Sequence, residues 1–200
     1  RLIRDGIGQA IYEAMVENPA IPLFGEGCEV KVPYDHPDIE RDFVERCHTM
    51  PIAEDGIVNF AVGTSLLGVL PIVDIISMDF LFSAMDSIVN TAAKIYFVGD
   101  SQSTIVIRAE TLLGGPTTGQ RVESLFHSIP GLQVVLPSTP HDAYGLMHTV
   151  LREPGVTLFL EDRMVQDDAI WKDGDLALSW RVPVGVSTYR TTIKDSYMTI

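Results

Sequence analysis

Four short runs that are apolar at nearly every position limit the folds open to this chain: Val69–Ile76, Thr104–Arg108, Leu132–Leu136 and Val156–Leu160. A strand half-exposed to water alternates apolar and polar residues. A strand apolar throughout has both faces covered, which is the mark of a parallel sheet between two layers of helices. The segments between the runs supply those helices. Leu2 to Val16 places Leu2, Ile3, Ile7, Ala10, Ile11, Ala14 and Met15 at helical spacing and stops at Asn18-Pro19. Gly56–Leu67 reads as a small-residue helix, Phe80–Lys94 as a helix with a stripe of Phe82, Met85, Ile88, Val89 and Ala92, and Gln120–Ser128 and His141–Arg152 as two more. Asp38–Cys47 allows a short helix, and Ile21–Phe24 reads as a first buried strand closed by Gly25-Glu26-Gly27. The fold class is therefore α/β, a mostly parallel sheet with helices on both faces.

Such sheets bind ligands beyond the carboxyl ends of their strands. Glu26, the loop after Ile76 and the loop Gly114–Gly119 all follow expected strands, and Glu54 is placed to join them. Charge narrows the ligand. With 14 basic against 27 acidic residues and a formal net charge of −13, the chain is a poor partner for nucleic acid or an anionic membrane. A phosphorylated ligand would need a metal or a second chain to neutralise it. Cys28 and Cys47 make neither a disulfide framework nor a metal motif, so reduced thiols in a cytoplasmic-type compartment are expected, or a matrix or stroma in a eukaryote. The apolar stretch Phe60–Ile76 is broken by Gly63, Gly68 and Pro71 and is too mixed to span a bilayer.

One carboxylate stands out. Glu54 lies between Met50-Pro51-Ile52-Ala53 and a run rich in Gly, Ala, Val and Leu, with only Asp55 and Asn59 as polar company. An acid in a dry setting is costly to ionise, so its pKa is expected to rise and its proton to become useful. The bland alternative is a first-turn Glu drawn there by the helix dipole.

The order of segments resembles the β subunit of thiamine-diphosphate-dependent 2-oxo-acid dehydrogenase E1, within the transketolase superfamily. The resemblance runs from Arg1 to about Val165. It rests on Gly25-Glu26 after the first strand, Pro51-Ile52-Ala53-Glu54 before the helix with Gly63 and Gly68, and Ile72 to Phe80. Ala84-Met85-Asp86-Ser87-Ile88-Val89-Asn90-Thr91-Ala92-Ala93-Lys94 and Pro130-Gly131-Leu132-Gln133-Val134-Val135-Leu136-Pro137 complete it. It implies a pyrimidine-binding domain over residues 1–165, with 166–200 as a linker to a further domain. Thiamine diphosphate would be the cofactor, its diphosphate and Mg²⁺ held by an α-type partner in an α2β2 assembly; no metal ligand is expected here. It further implies that Glu54 shares a proton with N1′ of the aminopyrimidine. This favours the tautomer whose 4′ nitrogen removes the proton from C2 of the thiazolium. Phe80 matches the family's aromatic residue against the pyrimidine face, Ile76 a nearby apolar contact, and Glu26 an acid near the cofactor. For Phe80 and Ile76 the competing reading is ordinary core packing, and for Glu26 a solvated turn residue.

Two departures qualify that resemblance. The family's His-Ser-Gln run falls, counting back from Pro130, on Thr118-Gly119-Gln120. In the dehydrogenases that histidine is associated with acyl transfer to a lipoyl arm, and a threonine is no acid or base near neutral pH. The superfamily's Gly-Asp-Gly metal-diphosphate motif is also missing, as Asp173-Gly174-Asp175 and Gly99-Asp100-Ser101 do not reproduce it. The expected function is thus an E1 β-type subunit acting on a 2-oxo acid, with a lipoyl-bearing acyltransferase a possible further partner. Two-carbon transfer of transketolase type to another acceptor and a non-catalytic assembly subunit are the alternatives.

Overall fold

The computed structural model describes residues 2–28, 36–99, 103–111, 118–163 and 184. Six parallel strands form one sheet: β1 (Leu23–Gly25), β2 (Cys47–Thr49), β3 (Ile72–Ser77), β4 (Thr104–Glu110), β5 (Leu132–Val135) and β6 (Gly155–Glu161), in the order β2-β1-β3-β4-β6-β5. Among the described residues six α-helices accompany them: α1 (Ile3–Glu17), α2 (Pro37–Phe43), α3 (Glu54–Ser65), α4 (Ala93–Val98), α5 (Glu123–Phe126) and α6 (Pro140–Val150). The three long strands at the centre are buried along most of their length, β4 and β6 at every residue. That is the burial which the uninterrupted apolar runs require.

Strand alternation sorts the core into two layers. Leu23, Ile72, Val106 and Phe159 face α1 and α6, where Ile7, Ile11, Met15, Tyr144 and Met147 complete a cluster. Phe24, Val73, Ile75, Ile105, Ile107 and Leu158 face the other way, toward Ile57, Val58 and Ala61 of α3 and toward Ile88, Ala92 and Ala93. Helices thus cover both faces. α1 and α6 meet closely at Gly6, where a Cβ would stand 2.5 Å from the Pro140 carbonyl oxygen.

Several elements differ from the sequence reading. Cys47–Thr49 is an edge strand beside β1, although its flanks are polar. An edge strand needs only one neighbour's backbone, so it leaves little apolar signal. β3 begins at Ile72, because Pro71 has no N–H for the ladder. The expected helix Phe80–Lys94 is instead a 3₁₀ turn (Met78–Phe82), a π-helical segment (Ser87–Ala92) and α4. Met85, Ile88, Val89 and Ala92 of the apolar stripe still face one core, whereas Phe82 is exposed. The helix expected over Gln120–Ser128 is reduced to Glu123–Phe126. The proposed linker over 166–200 lies outside the described residues except for Val184.

Gly6→Ala offers a direct test of the α1–α6 contact. Alanine is the better helix former by about 1 kcal/mol. Here the clash with backbone should outweigh that gain and leave a net loss of about 1–3 kcal/mol in urea unfolding.

Candidate functional site

The strand order reverses direction between β1 and β3: the chain steps outward from β1 to β2, then returns to the other side. Crevices in parallel sheets open at such points, at the carboxyl ends of the strands. Glu26 directly follows β1, Ile76 lies near the end of β3, Phe80 sits in the turn after it, and Glu54 opens α3. All four sequence-predicted residues therefore fall on this edge. Met50 N–H donates to the Gly25 carbonyl at 2.8 Å, which brings the segment leading to Glu54 over the end of β1.

The two glutamates divide the expected role differently from the sequence reading. Glu54 is half-buried, and Pro51, Ile52 and Ala53 before it are exposed, Ile52 at 83%. The apolar neighbours point outward instead of enclosing it, so within this chain Glu54 is not tucked away from water. The enclosed acid is Glu26, only 8% exposed, whose Oε1 is buried with no hydrogen-bond partner. Burial raises its pKa, the charge of Glu54 and then that of Asp74 add to the effect, and a hydrogen bond from the Ala53 N–H opposes it. Glu26 and Glu54 thus form an interacting pair of carboxyls. Asp55 and Asn59 attend to Ser87: the serine hydroxyl donates to the Asp55 carboxylate, and Asn59 Nδ2 donates to Ser87 Oγ at 2.7 Å. These bonds tie the start of α3 to the π-helical segment.

Ile76 is half-buried, with φ at +49°. Phe80 is half-buried and packs partly against the core beneath it, so the core reading and the site reading each describe one side of the ring. Three histidines make ring contacts within the fold. His36 caps α2 and stacks on Tyr12, His48 sits beside Phe24, and His148 beside Tyr144.

Sequence reasoning missed the carboxylate that organises the far wall. Asp79 is buried and accepts from Ser77 Oγ (3.0 Å), Gly119 N–H (2.9 Å), Gln120 N–H (3.3 Å) and Gln120 Nε2 (2.9 Å). Burial opposes its ionisation, but these donors outweigh burial and hold its pKa below the ordinary value. On the next residue of the loop, Arg121 pairs with Asp162 after β6. Thr118 therefore begins a segment pinned from two sides. The available signal was Ser77-x-Asp79, two polar residues just past a buried strand, a pattern that caps a turn. A third missed group is the ion cluster of Arg108, Asp74 and Glu161, on neighbouring strands at the same edge.

Two variants probe these carboxylates. A raised folded-state pKa means that stability falls as pH climbs from the ordinary glutamate value of 4.5 toward the folded value. Glu26→Gln should therefore melt above the parent at pH 7.5, with the difference closing as pH falls to 4.5. Asp79 has the opposite sign: its contribution is full above the carboxylate range and lost as pH drops through its lowered pKa. Asp79→Ala should cost about 1–3 kcal/mol in urea unfolding at pH 7, since two backbone N–H groups lose their acceptor.

Residues 2–166 match the family described as transketolase, pyrimidine binding domain. Pyruvate dehydrogenase E1 component subunit beta-3, chloroplastic, of Oryza sativa subsp. japonica is 36% identical over 169 residues, covering 79% of this chain and 43% of that protein. The pyruvate dehydrogenase E1 component subunit beta of Acholeplasma laidlawii is 35% identical over 169 residues, with 80% and 52% covered. The chain spans about half the length of these two curated relatives. Among solved structures, a split-gene transketolase described as an inactive beta4 tetramer superposes with a TM-score of 0.69 at 20% identity, over 91% of this chain and 56% of that one. Transketolase from Leishmania mexicana gives 0.64 at 18%, over 81% and 25%. The match over 2–166 decides the family: this chain belongs to the transketolase pyrimidine-binding domain family.

Proposed function

We propose that this chain is the pyrimidine-binding part of an E1 β-type subunit of a thiamine-diphosphate enzyme that decarboxylates a 2-oxo acid and passes on the acyl group. The observation that carries the reading is the pair of Glu26 and Glu54 at the strand-order reversal, one buried with an unpartnered oxygen and one half-buried at the start of α3. A buried oxygen without a donor fits a site completed by another molecule. An exposed approach to Glu54, with Ile52 bare beside it, fits cover by a second chain.

When bound, thiamine diphosphate supplies the carbon nucleophile and electron sink that 2-oxo-acid cleavage requires. This chain's part is to hold a proton. Glu54 would hydrogen-bond N1′ of the aminopyrimidine, and Glu26 behind it, its pKa raised by burial and by the charge of Glu54, would disfavour a second negative charge there. Phe80 and Ile76 would flank the ring. Mg²⁺ and the diphosphate would be held by an α-type partner, consistent with a chain of net charge −13. Thr118 supports a second reading, since it offers a hydrogen bond but no proton transfer where the dehydrogenases place histidine. On that reading the acceptor is not a lipoyl group, and the chemistry is two-carbon transfer.

The test is to co-express the full-length protein with its α-type partner and measure cofactor binding and turnover of pyruvate, a branched 2-oxo acid and a ketose donor. Glu54→Ala should lower the rate by ~10²–10⁴-fold without dissolving the assembly. Turnover confined to the ketose would select the second reading. A stable pair without cofactor affinity would make the chain an assembly subunit.

A further inference from the structure

We infer that Asp74 is a positioning residue: braced by buried Arg108, its carboxylate latches the backbone at Ile76 in a left-handed turn that presents this side chain as a wall of the pocket for a flat heteroaromatic ring. The inference rests on the functional reading above and deepens it.

The observations start with a conformation that the residue resists. Ile76 has φ at +49°, a region that a β-branched side chain occupies only under constraint. Nothing in the length of the strand demands it. The β3–β4 register runs in step at Ile72, Val73 and Asp74, breaks, and resumes with Ser77 opposite Glu110. The break is a bulge, and bulges re-aim side chains. Regular alternation would have carried Ile76 to the face of Ile72, against α1 and α6. Instead Ile76 is the one residue of β3 that is not buried, and it belongs to neither apolar cluster. The fold has accepted strain and given up burial at the same residue. A packing role would have avoided both.

The latch is also visible. Asp74 Oδ1 accepts from the Ile76 N–H at 2.9 Å, closing a turn of two residues. Asp74 Oδ2 lies 3.7 Å from Arg108 Nη1, and Arg108 Nε donates to Glu161 Oε1 at 2.8 Å, both members of that pair being 1% exposed. On the other side Gly25 leaves no room for retreat, since a Cβ there would stand 2.9 Å from the Asp74 Cβ. Asp74 is thus fixed from β1 and β4 before it sets the conformation of Ile76.

Stability and binding test the two halves separately. In extended backbone glycine is the weaker residue, whereas at positive φ alanine is. Ile76→Gly should therefore melt roughly 2–4 °C above Ile76→Ala, a comparison that needs no ligand. In the assembled enzyme, Asp74→Ala should weaken thiamine diphosphate about 10-fold, the equivalent of one lost hydrogen bond, and leave inorganic pyrophosphate unaffected. Asp74→Asn, which keeps an acceptor for the Ile76 N–H, should restore most of that loss. An alanine variant as stable as the glycine one would overturn the latch. Equal loss of pyrophosphate, or an asparagine variant as weak as alanine, would reduce Asp74 to a structural residue. A parent enzyme that binds pyrophosphate but not thiamine diphosphate would refute the functional reading and the presentation of Ile76 with it, while the melting comparison would still decide the strain.

Discussion

A guanidinium with 1% exposure in the middle of a parallel sheet is the constraint around which this domain is arranged. Removing such a charge from water costs several kcal/mol, and the cost is offset only where anions meet it in good geometry. Arg108 meets Glu161 on β6 and Asp74 on β3, its two neighbours in the sheet. The three central strands are thereby registered at their carboxyl ends by charge as well as by backbone. Replacing one partner would weaken the compensation of a buried charge, so the cluster tolerates little change.

That arrangement explains why polar groups gather on one edge. Glu26, Asp74, Asp79, Glu110 and Glu161 are all buried there, whereas the two helical layers are filled by aliphatic and aromatic side chains. Loops at the carboxyl edge are held by carboxylates: Asp79 grips Gly119 and Gln120, and Asp162 grips Arg121 and Thr111. Hydrogen bonds of this kind fix position without filling volume.

The sequence carried the sheet well because a doubly covered strand is apolar at most positions, and β3, β4, β5 and β6 are. It carried β2 poorly, since an edge strand owes its place to backbone bonding that any residue can make. It gave Glu54 the right element and the wrong surroundings. Apolar residues next to an acid in sequence enclose it only if they turn the same way, and here Ile52 does not. Asp79 and Asp74 act through partners some 30 to 90 positions away, on Gly119, Arg108 and, through Arg108, Glu161. A local pattern has no access to such pairings, and the left-handed turn at Ile76 is hidden for the same reason.

The π-helical segment Ser87–Ala92 carries a consequence for how this domain can vary in length. Each π turn holds one residue more than an α turn needs. The wider turn absorbs that surplus, so deleting a residue there would restore ordinary helix and leave the segment after it at nearly the same rotational phase. The Ala93 carbonyl would then still meet Gly131, where a Cβ would stand 2.3 Å from its oxygen. A homologue shortened at this place could therefore keep the approach to β5.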